Sequence, residues 1–290
     1  MSYDFPMKAS ALWAVCVIWL CATPAAFAAP AAFAARLSDQ PPGHPGVTYF
    51  DLMKQVVTDL ARDDKGLATG SAVVPFEHIE GEKLEGDPPE TITQLSVVAM
   101  PIPGDESRIV LLADLGLAEL RVDDTVLLAL FALSPTPELL DVVEVGVDQF
   151  THFRDMKPEL MLAPRTPLII IDSSHENSNQ SYDASEMIFI HGARFRLIDS
   201  LFTLGDASCA QRRAQQPSFT TLADPGPYRA VHVSVEDRVA ATGAECEDEK
   251  APRPHVSTFQ ATYRWDAQQQ RFATPSSELR RLAAENHKRL

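Results

Sequence analysis

The sequence predicts a mainly β protein in which antiparallel hairpins pack as stacked sheets. Three observations carry that expectation. Apolar and β-branched runs recur in pairs around short turns. Two runs, 126–131 and 168–171, are apolar throughout and need cover on both faces. The connections are short, rich in Pro and Gly, and lack the helical pattern a parallel crossover requires. Four hairpins in about 185 residues match a blade period, so the reading is propeller-like, with a β-sandwich as the alternative. No WD or kelch signature accompanies it.

The first segment reads as an export signal. Lys8 precedes an apolar run over 11–22, then Pro24 and small residues suited to a signal-peptidase cleft. The sequence Pro-Ala-Ala-Phe-Ala-Ala occurs at 24–29 and again at 30–35, so cleavage after Ala28 competes with cleavage after Ala34. Ala28 is preferred for its short distance from the apolar core, giving a signal peptide over 1–28. The run is short for a span of about 20 residues, so no stable membrane span is expected after cleavage, and the location is periplasmic or secreted. Cys16 and Cys21 leave with the signal. Cys209 and Cys246 then remain, an even number for an oxidising compartment, and are expected to pair. Closing that loop stabilises by about 4 kcal/mol in the loop-entropy account.

Residues 35–47 form a Pro- and Gly-rich flexible lead-in, and a single β-rich domain is expected over 48–275. Thr48 and Asp51 have capping-box spacing, with Tyr49, Met53, Val56 and Leu60 on one helical face and Lys65-Gly66 as a stop. Acidic residues between 76 and 90 suggest a surface excursion. The hairpins follow: 91–102 with 108–115, 125–133 with 139–147, 185–190 with 194–204, and 258–265 with 271–273. The polar stretch 208–226 reads as a loop and 228–239 as a strand with Val231, Val233 and Val235 on one face. Thr274-Pro275 would open a C-terminal helix over 276–290.

The chain is long enough to bury a sizeable core, with 290 residues of which 45% are hydrophobic. Its formal charge of −15 is unchanged by loss of the signal, which carries one acid, Asp4, and one base, Lys8. Such a surface repels phosphate backbones and excludes nucleic acid as a partner.

The densest polar stretch is 172–183, read as a long connection between a doubly buried strand and a hairpin. Asp172, His175, Glu176, Asn177, Asn179 and Tyr182 are the candidate binding residues. The amides offer donors and acceptors, His175 with Asp172 a proton-transfer pair, and Tyr182 a ring with a hydroxyl, a mixture suited to carbohydrate or peptide recognition. Asn179-Gln180-Ser181 also matches a glycosylation acceptor. A second cluster holds Asp148, His152, Arg154 and Asp155; should the two converge, Asp148 and His152 would face His175 and Glu176. His175-Glu176 begins like a metalloprotease helix, but Asn179 stands where a second His is required. Asp59, Asp63 and Asp64 lack the glycine and distal acid of a calcium loop.

No G-x-S-x-G, S-x-x-K, G-x-x-x-x-G-K or G-x-G-x-x-G motif occurs, and no motif demands a metal or cofactor. The preferred reading is an exported, non-enzymatic protein of the cell envelope that binds a small molecule, glycan or protein. The alternative is a secreted or periplasmic hydrolase using His175 with Asp172 or Glu176.

Overall fold

The computed structural model describes residues 31–81, 89–117, 124–148, 150–155, 157, 160–244, 246–247 and 249–289. The expected signal over 1–28 lies outside the described residues, as does Leu290. In order, the chain forms β1 (Phe33–Ala35), α1 (Tyr49–Met53), β2 (Ala61–Arg62), β3 (Ala68–Thr69), β4 (Ser96–Ile102), β5 (Asp105–Leu117), β6 (Asp124–Ala132) and β7 (Glu138–Glu144). Next come β8 (His152–Phe153), β9 (Met161–Ala163), β10 (Thr166–Pro167), β11 (Ile169–Glu176), β12 (Gln180–His191) and β13 (Arg194–Ala207). It ends with β14 (Gln211–Leu222), β15 (Ala230–Ala241), β16 (His255–Asp266), β17 (Arg271–Ala273) and α2 (Glu278–Asn286).

The protein is mainly β, built of stacked antiparallel sheets with two short helices. Strands β1-β4-β5-β6-β7 form one sheet and β17-β16-β15-β14-β13-β12-β11-β8 another. The larger sheet splits in the middle, because β13 and β14 pair only at Asp206 with Arg213 and Ala207 with Arg212. The chain therefore has three layers: the β1–β7 sheet, a middle layer of β8 and β11–β13, and a third layer of β14–β17.

Strand alternation explains the doubly apolar runs. In β5, Ile109, Leu111 and Ala113 face an outer core under α1, while Val110 and Leu112 join Ile169, Ile171, Ile188 and Ile190 between the first two layers. In β11, Ile170 faces the other way, toward Phe219, Val231, Val233, Val235 and Phe259 of the third layer. The β6 and β11 runs belong to strands with apolar cores on both sides. Val231, Val233 and Val235 share one face as the sequence predicts.

Local chemistry sets the ends of the elements. Thr48 and Asp51 form the expected capping box at α1. The helix stops at Met53 instead of reaching Lys65-Gly66, because Val57 bridges Val73 and the chain turns there; Val56 and Leu60 are buried without a helix beneath them. The 35–47 segment is held by backbone bonds from Tyr49 to Asp39 and from Phe50 to Leu37, with Leu37 and Val47 packed on the outer core. The disulfide Cys209–Cys246 is present, spanning 37 positions with Cα atoms 6.0 Å apart.

Two expected boundaries are corrected. The 208–226 stretch is not a loop: most of it is β14, whose outer face is solvated and whose inner face carries Gln215, Phe219 and Thr221, so polarity hid a two-residue period. The C-terminal helix begins at Glu278 with Ser277 at its N-cap, not at Thr274-Pro275, where Ser276 N donates to Thr274 Oγ1 in a turn. α2 then fills the gap between β13 and β14. Asn286, fully buried, exchanges amide hydrogen bonds with Gln215 and donates to Phe202 O, while Gln215 Oε1 accepts from Leu204 N. The side-chain pair stands where sheet hydrogen bonds would otherwise run.

Candidate functional site

The 172–183 stretch is a β-hairpin end and not a connection. β11 runs through Asp172, His175 and Glu176, β12 starts at Gln180, and only 177–179 turn. Asn177 Oδ1 accepts from the backbone N–H groups of Asn179 and Gln180, so this amide builds the turn. Serine and asparagine hid the strands because their side chains satisfy neighbouring groups while the backbone pairs from Ile169–Ile188 to Glu176–Ser181.

Alternation then distributes the candidates over opposite faces. Ser173, His175 and Tyr182 continue the face of Ile171 toward the first layer. Asp172 continues the face of Ile170 and opposes Ser185 on β12. Asp172 and His175 therefore do not form the proton-transfer pair expected from their spacing.

The partner of His175 comes from the second cluster. His175 Nδ1 donates to Asp148 Oδ1 at 3.1 Å, and the Tyr182 hydroxyl donates to Oδ2 of the same carboxylate. The two rings stack with centroids 5.3 Å apart and planes 10° from parallel. Tyr182 continues to Phe202 in a tilted contact and Phe202 meets His287, just past α2, edge-on. Thr151 bonds Ser173 Oγ at 2.8 Å, tying the entry to β8 to β11. Beside it Phe150 takes a positive φ of 56° and is 69% exposed, a backbone conformation that costs free energy in a non-glycine residue.

On the opposite face, Asp172 is buried and clamped. Arg154 approaches Oδ1 through Nη2 at 2.9 Å and Oδ2 through Nε at 2.8 Å, and the Ser185 hydroxyl donates to Oδ1 at 2.6 Å. The guanidinium lies over the Phe219 ring, 5.0 Å from its centroid. Nearby, burial and then Asp172 push the Asp183 carboxyl up from its ordinary value, against the opposing pull of Arg154 and His152.

This face opens into a cleft of about 590 Å³ between β8–β11 and β14. Its wall includes His152, Arg154, Asp155, Lys157, Asp172 and Phe219, with Leu160, Pro217 and Thr220 beside them. The volume lies within the range of small-molecule sites. The two sequence clusters thus converge in a divided way: Asp148 reaches His175, whereas His152, Arg154 and Asp155 line the cleft with Asp172. Glu176 and Asn179 sit at the hairpin tip away from both. Phe219, Pro217 and Thr220 come from the stretch expected to be a loop; the alternation of 215, 219 and 221 is the signal that finds Pro217 and Phe219, while Thr220 is out of phase with it.

Among the described residues, no group of three His, Cys, Asp or Glu side chains is arranged to hold a metal ion. No helix among them is long and apolar enough to cross a membrane. No family model, curated protein or solved structure matches the chain.

Proposed function

We propose that this is an exported, non-enzymatic binding protein of the cell envelope that takes a small ligand in the cleft between its middle and third layers. The observation that carries this reading is the Asp172–Arg154 pair. A carboxylate and a guanidinium are fixed in position by Ser185 and the Phe219 ring at the wall of a ligand-sized cleft, so polar groups are preorganised before anything binds. The disulfide supports export, because such bonds persist in oxidising compartments. The test is a thermal-shift and native-mass screen of the exported protein against pooled metabolites, run beside Thr220→Trp, a substitution at an exposed position among the residues that line the cleft. A ligand retained by the parent and lost by the variant is expected; a full screen yielding no ligand sensitive to this substitution overturns the reading.

The hydrolase reading keeps one specific observation. Asp148 orients His175 through Nδ1, the arrangement that leaves an imidazole Nε2 available to take a proton. The acid in that reading is Asp148, since Asp172 lies on the other face. Turnover of ester, amide or glycoside probes that disappears in His175→Ala while the fold persists would favour it over simple binding.

A further inference from the structure

We infer that the cleft is built for a small zwitterion with an apolar body, an amino acid with an apolar side chain being the simplest case. The inference rests on the cleft being a ligand site and adds the class of ligand. Its basis is which lining charges remain after internal pairing.

Asp172 and Arg154 largely neutralise one another. Asp155 and Lys157 also line the cleft, both exposed, and among the described residues neither side chain has a hydrogen bond or ion pair. The cleft therefore presents one anion and one cation, two residues apart, that the other described residues leave unpaired. Two further groups reinforce each sign. Arg154 Nη1 is left over from the Asp172 clamp and can donate to a carboxylate alongside Lys157. His152 has Nδ1 on Phe150 O, which leaves Nε2 to accept from an ammonium group alongside Asp155.

Leu160, Pro217 and Phe219 give the wall apolar surface beside the polar Ser218 and Thr220. Phe219 is held under the guanidinium, so its ring is already positioned. The field of the whole chain argues in the same direction. A ligand of net negative charge would approach a protein of charge −15 against repulsion, whereas a zwitterion carries no net charge. A simple cation would be drawn in but would leave Lys157 opposing it.

The test uses three probes that share one phenyl body: L-phenylalanine, 3-phenylpropanoate, which lacks the ammonium, and 2-phenylethylamine, which lacks the carboxylate. Titration calorimetry of the full exported protein is expected to show saturable L-phenylalanine binding, with each single-charge probe weaker by about fivefold or more. Lys157→Gln should bring L-phenylalanine down toward the level of 2-phenylethylamine, whose own binding holds or strengthens once the opposing charge is gone. Asp155→Asn should do the mirror image with 3-phenylpropanoate, and Thr220→Trp should abolish all three. These three positions are exposed, so the variants are expected to fold. The inference is overturned if a single-charge probe matches L-phenylalanine, if neither charge substitution discriminates among the probes, or if none of the three binds. A metabolite of another charge class that is lost in Thr220→Trp would overturn the zwitterion while leaving the cleft reading standing.

Discussion

Asp172 and His175 lie on one strand and project from opposite faces of the middle layer, each committed to a different partner from the 148–154 segment. Asp172 belongs to a clamped pair at the cleft and His175 to a ring stack pinned by Asp148. Double-mutant cycles on stability should report this separation. His175→Ala and Asp172→Ala should add within about 0.5 kcal/mol, whereas His175→Ala and Asp148→Ala should couple by about 1 kcal/mol. Asp172→Ala alone should cost about 3 kcal/mol, because it strands the Arg154 charge. Strong coupling of Asp172 with His175 would refute the two-faced arrangement.

Glu186 makes a prediction about pH. It is 2% exposed beside His78, whose Nε2 lies 3.6 Å from Glu186 Oε1. Burial, then Glu80 and Glu144, push its carboxyl up from 4.5 to about 9. A raised acid binds its proton more tightly in the folded chain, so its contribution is complete below the unfolded value and is lost as pH rises toward the folded one. Urea unfolding of wild type and Glu186→Gln between about pH 6 and 8 should show wild type losing stability relative to the variant, by at most about 1.4 kcal/mol per pH unit. Parallel curves would mean that Glu186 is already ionised.

Glu186 also marks a limit of sequence reading. The 76–90 stretch was expected on the surface from its acids, yet His78 is buried, bridges Glu144 of β7 and faces Glu186 of β12; residues 82–88 lie outside the described residues. Local polarity cannot reveal which acids a second layer will cover. The β class was legible because hairpin turns and doubly apolar runs are local signals, and the Thr48 cap and the cysteine pair were legible for the same reason. The face assignment of Asp172 and His175 was also available in principle from the two-residue period through Ile169, Ile170 and Ile171. The serines and asparagines of 172–183 obscure it, because their polarity resembles that of a connection. The meeting of Arg154 with Phe219 was not available, since it depends on how the third layer folds over the second.

The buried amide pair at the splayed β13–β14 junction should behave as one unit. Asn286→Ala is expected to cost about 2 kcal/mol, because Gln215 is left with unmet hydrogen bonds in the interior. Adding Gln215→Ala should cost much less than the sum of the single changes. Full additivity in chemical denaturation would show that α2 does not bridge the gap through this pair.

The last prediction concerns the mature N-terminus that export would create. β1 covers the edge of β4, with Phe33 opposite Ala99, Ala34 opposite Val98 and Ala35 opposite Val97. Ala32 packs between the first two layers and Ala35 on the outer core. A chain starting at residue 29 keeps the whole of β1, whereas one starting at residue 35 loses Phe33 and Ala34 and leaves most of the β4 edge unpaired, a template for self-association. The exported protein should therefore have the intact mass of a chain beginning at Ala29. Recombinant chains beginning at 29 and at 35 should differ in melting temperature and in monodispersity by light scattering, the longer one being the more stable and the less associated. A native mass corresponding to Ala35, with a stable monomer from that start, would remove β1 from the functional fold.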